Sequence, residues 1–181
     1  MHIEETPLEG CIHIIPKTFL DDRGYFMETY RQSWMDALGA FNGDFVQDNQ
    51  SFSYYGTIRG LHFQTGEHAQ AKLVRVLSGK ILDVAVDLRR DSASFGQHLT
   101  IELTAEKNNQ LWIPKGFAHG FSVLSETAVV CYKCDAYYNK EAEQGIHPLD
   151  NTLGIDWQIP KTAQQISPKD LALPSFYDFT G

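Results

Sequence analysis

Apolar and polar residues alternate in short runs along most of the chain, and Gly, Pro or Asn breaks the pattern every few residues. A period of two belongs to β-strands with one buried face. Ten runs carry this chemistry: residues 11–15, 25–30, 45–52, 58–64, 72–77, 80–88, 98–103, 110–113, 120–124 and 127–137. Ser78-Gly79, between two of them, predicts a tight hairpin turn. Helical spacing is sparse. Ser33, followed by Trp34, Met35, Leu38 and Phe41, predicts one short capped helix. Ser167-Pro168-Lys169-Asp170 predicts another helix start, with Ser167 as cap and Pro168 in the first turn. Many strands and few helices predict a mainly β domain, a jelly-roll sandwich or barrel spanning residues 1–181, with a cavity suited to a small ligand.

Composition narrows the function. A chain of 181 residues, 43% hydrophobic, suffices for one domain with a real core. The net charge of −8 argues against a nucleic-acid surface, but a local basic pocket can still take a nucleotide. No apolar run approaches the roughly 20 residues of a membrane helix, so no membrane partner is expected. The start, Met1-His2-Ile3-Glu4-Glu5, lacks the basic-then-apolar pattern of a secretion signal. Three cysteines without a framework spacing fit a reducing compartment, so a cytoplasmic protein is expected.

Alternation also sorts the candidate chemistry. Cys131 and Cys134 mimic a C-x-x-C motif, but residues three apart on a strand face opposite sides and should not share a metal. The same alternation puts Tyr132, Cys134, Ala136 and Tyr138 on one face. Pro114-Lys115-Gly116-Phe117-Ala118-His119-Gly120 resembles the second motif of cupin barrels, with His119 opening a strand. The matching first-motif segment, Gly60-Leu61-His62-Phe63-Gln64, supplies a single histidine. Two scattered imidazoles are too few for a tight catalytic metal, so the expectation is a cupin-like barrel without a metal.

His62 is then either a proton-transfer base or a core histidine satisfied by a backbone bond. Lys72 either faces the cavity, where it would stabilise an oxyanion, or snorkels from a strand end. Arg23 and Arg59 each precede a glycine and suit diphosphate oxygens. Strict alternation sets Arg59 and His62 on opposite faces unless Gly60 hosts a bulge. Gln47 and Asn49 share a face, which either binds a ligand or meets solvent. No Walker loop, G-x-G-x-x-G, H-E-x-x-H or G-x-S-x-G is present, so phosphoryl transfer, hydride transfer, zinc proteolysis and serine hydrolysis lose support.

Taken in order, the motifs resemble one family. They are Asp22-Arg23-Gly24-Tyr25-Phe26-Met27-Glu28, Gln47-Asp48-Asn49-Gln50-Ser51, Ile58-Arg59-Gly60-Leu61-His62-Phe63-Gln64, and Lys72-Leu73-Val74-Arg75-Val76. Gly79, Asp83-Val84-Ala85-Val86-Asp87, the stretch 112–121 and Ser167-Pro168-Lys169-Asp170 follow. From near residue 3 to near residue 176 the chain is similar to dTDP-4-dehydrorhamnose 3,5-epimerases.

That resemblance implies a cofactor-free isomerase that inverts carbons 3 and 5 of dTDP-4-keto-6-deoxyglucose. It implies His62 as proton acceptor, Tyr132 as proton donor and Lys72 near the 4-keto oxygen. Asp170 would pair with His62, with Asp83 a second candidate for that orienting role. Arg23, Glu28, Gln47, Asn49, Arg59, His119, Glu143 and Lys169 fall where the family binds sugar nucleotide, and Tyr138 where a ring stacks on thymine. The implied assembly is a homodimer whose N-terminal strands cross into the partner's site. The residue types suit the reaction: a 4-keto group acidifies both neighbouring carbons, a phenol is protonated at neutral pH, and a cation lowers the energy of an enolate. Three other readings stand beside this one: an epimerase acting at a single carbon or on a related nucleotide sugar, a metal-dependent cupin, and a non-catalytic sugar-nucleotide binding module.

Overall fold

The computed structural model describes residues 1–37, 39 and 43–180. Its strands are β1 (His2–Glu5), β2 (Ile12–Ile15), β3 (Thr18–Asp21), β4 (Gly24–Met27), β5 (Gln47–Tyr54), β6 (Thr57–Gln64) and β7 (Lys72–Ser78). They continue with β8 (Lys80–Asp87), β9 (His98–Thr104), β10 (Gln110–Ile113), β11 (Phe117–Val123), β12 (Thr127–Cys134), β13 (Glu143–Gly145) and β14 (Gln165–Ile166). Three short helices are α1 (Gln32–Ala37), α2 (Pro168–Leu171) and α3 (Phe176–Thr180).

The first sheet runs β1-β2-β10-β7-β12-β5, and the second β13-β6-β11-β8-β9 with β14 parallel to β6. β3 and β4 form a separate hairpin. The mainly β, jelly-roll reading thus holds. Strand pairing among the described residues gives two facing sheets and not one closed ring.

Alternation explains how the sheets stack. Val74, Val76, Ala128 and Val130 of the first sheet meet Ile81, Ala85, Phe121 and Val123 of the second in one core. β8 is buried on both faces, which accounts for its nearly unbroken apolar run. Its other face, Leu82, Val84 and Val86, packs under the C-terminal segment through Ile146, Leu153, Trp157 and Phe176. On the outside of the first sheet, Met35 of α1 covers Ile14, Leu73 and Trp112.

The structure corrects several local expectations. Ser78-Gly79 is not a hairpin turn, because β7 and β8 lie in different sheets. It is the corner where the chain changes sheet. Gly79 sits there at φ +79°, and a Cβ would stand 2.1 Å from the Thr127 carbonyl oxygen. Ser33 is the second residue of α1 and not its cap, and Leu38 and Phe41 lie outside the described residues. β12 stops at Cys134, so the shared face extends through Tyr132 and Cys134 only. β11 starts two residues before His119. At the second helix the expectation holds: the Ser167 side chain accepts the Asp170 amide at 3.1 Å, with Pro168 in the first turn. Among the described residues, no helix is long and apolar enough to cross a membrane.

Candidate active site

A cavity of about 550 Å³ opens along the inner face of the second sheet, lined by Arg59, His62, Lys72, His119, Tyr132, Lys169 and Asp170. A second chamber of about 320 Å³ shares His62, Lys72 and Tyr132 and adds Gln47, Asn49, Gln64, Gln70, Tyr138 and Glu143. The three shared residues come from both sheets, His62 from β6, and Lys72 and Tyr132 from β7 and β12.

A bulge settles the conflict between Arg59 and His62. His62 pairs with His119 and Arg59 with Phe121, so three steps along β6 match two along β11. The extra residue turns the strand enough for both side chains to line one cavity. Gly60 makes this possible at φ +126°, where a Cβ would stand 2.6 Å from the Gly120 Cα and 2.8 Å from the His119 carbonyl oxygen. The Arg59 guanidinium is steadied by a 3.0 Å bond from Nε to Ser53 Oγ.

His62 is not satisfied by a backbone bond. Its Nε2 lies 2.7 Å from Asp170 Oδ1, and the Asp170 residue is only 4% exposed. The Ser167 cap and Pro168 place that carboxylate at the start of α2. Asp83 does not orient His62. Its Oδ1 lies 2.7 Å from His119 Nε2, and its Oδ2 is buried with no hydrogen-bond partner among the described residues. The cavity wall therefore carries two imidazole–carboxylate pairs on adjacent strands.

Opposite them, Tyr132 stands between Val74 and Asn49, its registered neighbours on β7 and β5. Burial pushes its phenol above the ordinary tyrosine range. Lys72 extends into both chambers rather than snorkelling outward. Burial pulls its ammonium below the ordinary lysine range, against the smaller opposing pull of Cys134 and Asp83. Cys134 lies beneath, its thiol pushed up to about 11 by burial and 3.7 Å from the Asn49 amide. Cys131 instead meets Gln50 at 3.5 Å from the more open face, as alternation requires.

The mouth of the second chamber is a polar clasp. Glu143 Oε2 accepts from Lys169 Nζ at 2.7 Å and from the Tyr138 hydroxyl at 2.9 Å. Burial works to raise the Glu143 carboxyl, but these two donors outweigh it and hold it below the usual range. Gln47 accepts the Tyr138 amide at 2.8 Å and donates to Asn49 at 3.0 Å, so this pair faces the chamber and not bulk solvent.

Arg23 and Glu28 are the exceptions. Arg23 projects from the β3–β4 hairpin, its side chain 90% exposed and paired with Asp21, and Glu28 pairs with Arg31. Neither lines the chambers of its own chain. The hairpin also exposes Phe19, Leu20, Tyr25 and Phe26. Gln64 was not among the expected site residues. Its amide bonds the carbonyls of His68 and Tyr137 and accepts the Asn139 amide, which shapes the mouth. Its position two residues after His62 on a strand was the available signal.

The arrangement suits one class of chemistry. An imidazole paired with a carboxylate stands on one sheet, and a buried phenol and an amine that share its cavity stand on the other. This is the equipment for moving protons at a carbon beside a carbonyl.

Comparison with known proteins gives the same direction. A family model described as dTDP-4-dehydrorhamnose 3,5-epimerase matches residues 5–178. A dTDP-4-dehydrorhamnose 3,5-epimerase of Neisseria gonorrhoeae is 49% identical over 95% of this chain, and the chain spans about half, 52%, of that relative's length. The crystal structure of the enzyme of that name from Elizabethkingia anophelis NUHP1 superposes with a TM-score of 0.95, at 52% identity, covering 98% of this chain and 97% of that one. A dTDP-6-deoxy-D-glucose-3,5-epimerase from Legionella pneumophila Philadelphia 1, solved in complex with dTDP-4-keto-L-rhamnose, superposes at 0.92 with 45% identity, covering 96% and 92%. By the match along its sequence and the superposition of its fold, this chain belongs to the dTDP-4-dehydrorhamnose 3,5-epimerase family.

Proposed function

We propose that the protein inverts carbons 3 and 5 of dTDP-4-keto-6-deoxyglucose to give dTDP-4-keto-L-rhamnose, without a cofactor. The observation that carries this reading is His62, bonded to Asp170, on one sheet and Tyr132 on the other, lining one cavity. His62 takes a proton from a carbon beside the keto group. Asp170 fixes which ring nitrogen remains free to accept it. Lys72 stabilises the enolate oxygen, and Tyr132 returns a proton to the opposite face of the ring. Repeating the sequence at the second carbon completes the conversion.

The other site residues bind. Arg59, His119 and Lys169 hold the sugar and diphosphate, with Gln47, Asn49 and Glu143 completing the hydrogen bonds. Tyr138 stacks on the thymine. Arg23 and Glu28 act from a partner subunit in a homodimer, a role supported by their not lining their own chain's chambers and by the apolar side chains exposed on the β3–β4 hairpin. The working location is the cytoplasm, and the product serves L-rhamnose synthesis.

The test is turnover of the keto sugar in deuterated water. Deuterium at both carbons is expected. Deuterium at one carbon assigns the protein to single-carbon epimerisation, and none at either removes the epimerase reading.

A further inference from the structure

Tyr138 sits on a stretch with no frame of its own. Residues 135–142, between β12 and β13, form neither strand nor helix. Tyr138 is 53% exposed, so little packing holds its ring, and its hydroxyl donates to Glu143. The direction in which a side chain leaves the backbone is fixed by the two peptide planes that flank it.

One buried side chain grips both planes. Gln64, 7% exposed, donates from Nε2 to the Tyr137 carbonyl at 3.2 Å, which fixes the plane before Tyr138. Its Oε1 accepts the Asn139 amide at 2.7 Å, which fixes the plane after it. Gln47 accepts the Tyr138 amide at 2.8 Å and steadies the first plane as well. The second Nε2 hydrogen of Gln64 goes to the His68 carbonyl at 2.7 Å. Both amide hydrogens of Gln64 are thus committed to backbone, and neither is left for a ligand.

The circuit closes through Asn139. Its Oδ1 accepts the amides of Glu141 at 2.9 Å and Ala142 at 3.3 Å, in the turn that leads into β13. That leaves Nδ2 as the group 2.9 Å from His68 Nε2, so the ring nitrogen is the acceptor. Gln64, His68 and Asn139 are each bonded to the other two.

We propose that Gln64 is a positioning residue for the nucleotide: it aims the Tyr138 ring at the base, and Asn139 and His68 lock it in place. This rests on the reading above that Tyr138 stacks on thymine. Gln64 lines the same chamber, yet it acts through Tyr138 and not by contact with the ligand. Ordering the segment before the ligand arrives removes a cost that binding would otherwise meet.

The test measures dTDP binding by calorimetry and turnover of the keto sugar, both with the full chain. In Gln64→Leu the Kd for dTDP is expected to rise by about fivefold or more, the lower end for losing a base–ring stack. KM should rise with it while kcat holds, the signature of binding lost equally in ground and transition states. Neither Kd nor KM depends on how much enzyme folds. Asn139→Ala, at a half-buried turn position, gives the same test where the Gln64 variant folds poorly. His68→Gln offers Asn139 an amide oxygen in place of the ring nitrogen and should retain wild-type affinity, while His68→Leu should not. Adding Gln64→Leu to Tyr138→Ala should cost nothing further, because the ring it aims is gone. Wild-type Kd in both Gln64→Leu and Asn139→Ala overturns the proposal. So does a fall in kcat at unchanged KM, or a full second loss in the double variant, since either gives the network a role that does not pass through Tyr138. Tyr138→Ala with wild-type affinity for dTDP removes the stacking reading and the proposal with it. A weakened Tyr138→Ala beside unaffected Gln64 and Asn139 variants removes the proposal alone.

Discussion

His62 and His119 face each other across neighbouring strands, and each lies 2.7 Å from a carboxylate oxygen, yet the two pairs are built differently. Asp83 comes from β8, the strand next to His119, and is fully buried on the face that carries Ile81 and Ala85. Asp170 comes from a short helix near the end of the chain, 108 residues beyond His62, and is held by one capping serine. One pair is therefore part of the sheet's rigid frame. The other is assembled by a segment that must dock from outside. The difference teaches that two copies of one chemical motif acquire separate duties from their supports. The His62 ring stays a third exposed to the cavity, while the His119 ring and its carboxylate are buried in the wall.

The largest break in this comparison is His62→Ala. Removing the base should lower turnover by about two orders of magnitude or more. It should also abolish exchange at both carbons together. Steady-state rates with the isotope assay measure both, and a near-wild-type rate would take the base role away from His62.

Lys72→Met comes next, with a loss of about tenfold or more in kcat, since a cation aimed at a developing oxyanion is removed. The pH profile gives the sharper reading. Only the protonated amine stabilises the enolate. Because burial lowers the pKa of Lys72, the cation is lost as pH rises through a value below the ordinary lysine range. Wild-type activity should thus decline on the alkaline side before a surface lysine would titrate. The methionine variant, slower throughout, should lack that decline. An unchanged alkaline limb in Lys72→Met would assign the limb to another group.

These expectations draw on sequence and structure unequally. Alternation located β6, β7, β8 and β12 to within a few residues, because each has a buried face that a polar run cannot imitate. It told which face a side chain occupies, so Gln47 and Asn49 were paired correctly. It did not tell which strand lies alongside. Ser78-Gly79 looked like a hairpin for that reason, since a sheet-changing corner also needs glycine. β13 and β14, of three and two residues, are too short to show any period. β1 and β3 are mostly exposed and lacked a signal of burial. Within the site, family resemblance named the residues, but contacts distant in sequence were beyond pattern. The resemblance did pair Asp170 with His62, as the structure has it, whereas that Asp83 serves His119 depends on the register of β11 against β8. The bulge at Gly60 was legible only as a conflict between two faces.

The smallest predicted effect probes the weaker of the two supports. Ser167→Ala removes the side chain that accepts the Asp170 amide, at a cost of about 1 kcal/mol. That is roughly a fivefold change in the local equilibrium holding α2. Amide hydrogen exchange at Asp170 and its helical neighbours should quicken by about that factor, and turnover should fall by less. Ser167→Asn, a comparable cap, should retain wild-type protection. Amides of β8 around Asp83 should not respond in either variant, because their bonds belong to the sheet. Unchanged protection at Asp170 in Ser167→Ala would mean that the bond to His62 and the packing of the tail hold the helix without its cap. The two carboxylates would then be equally well supported, and exposure alone would separate the two pairs.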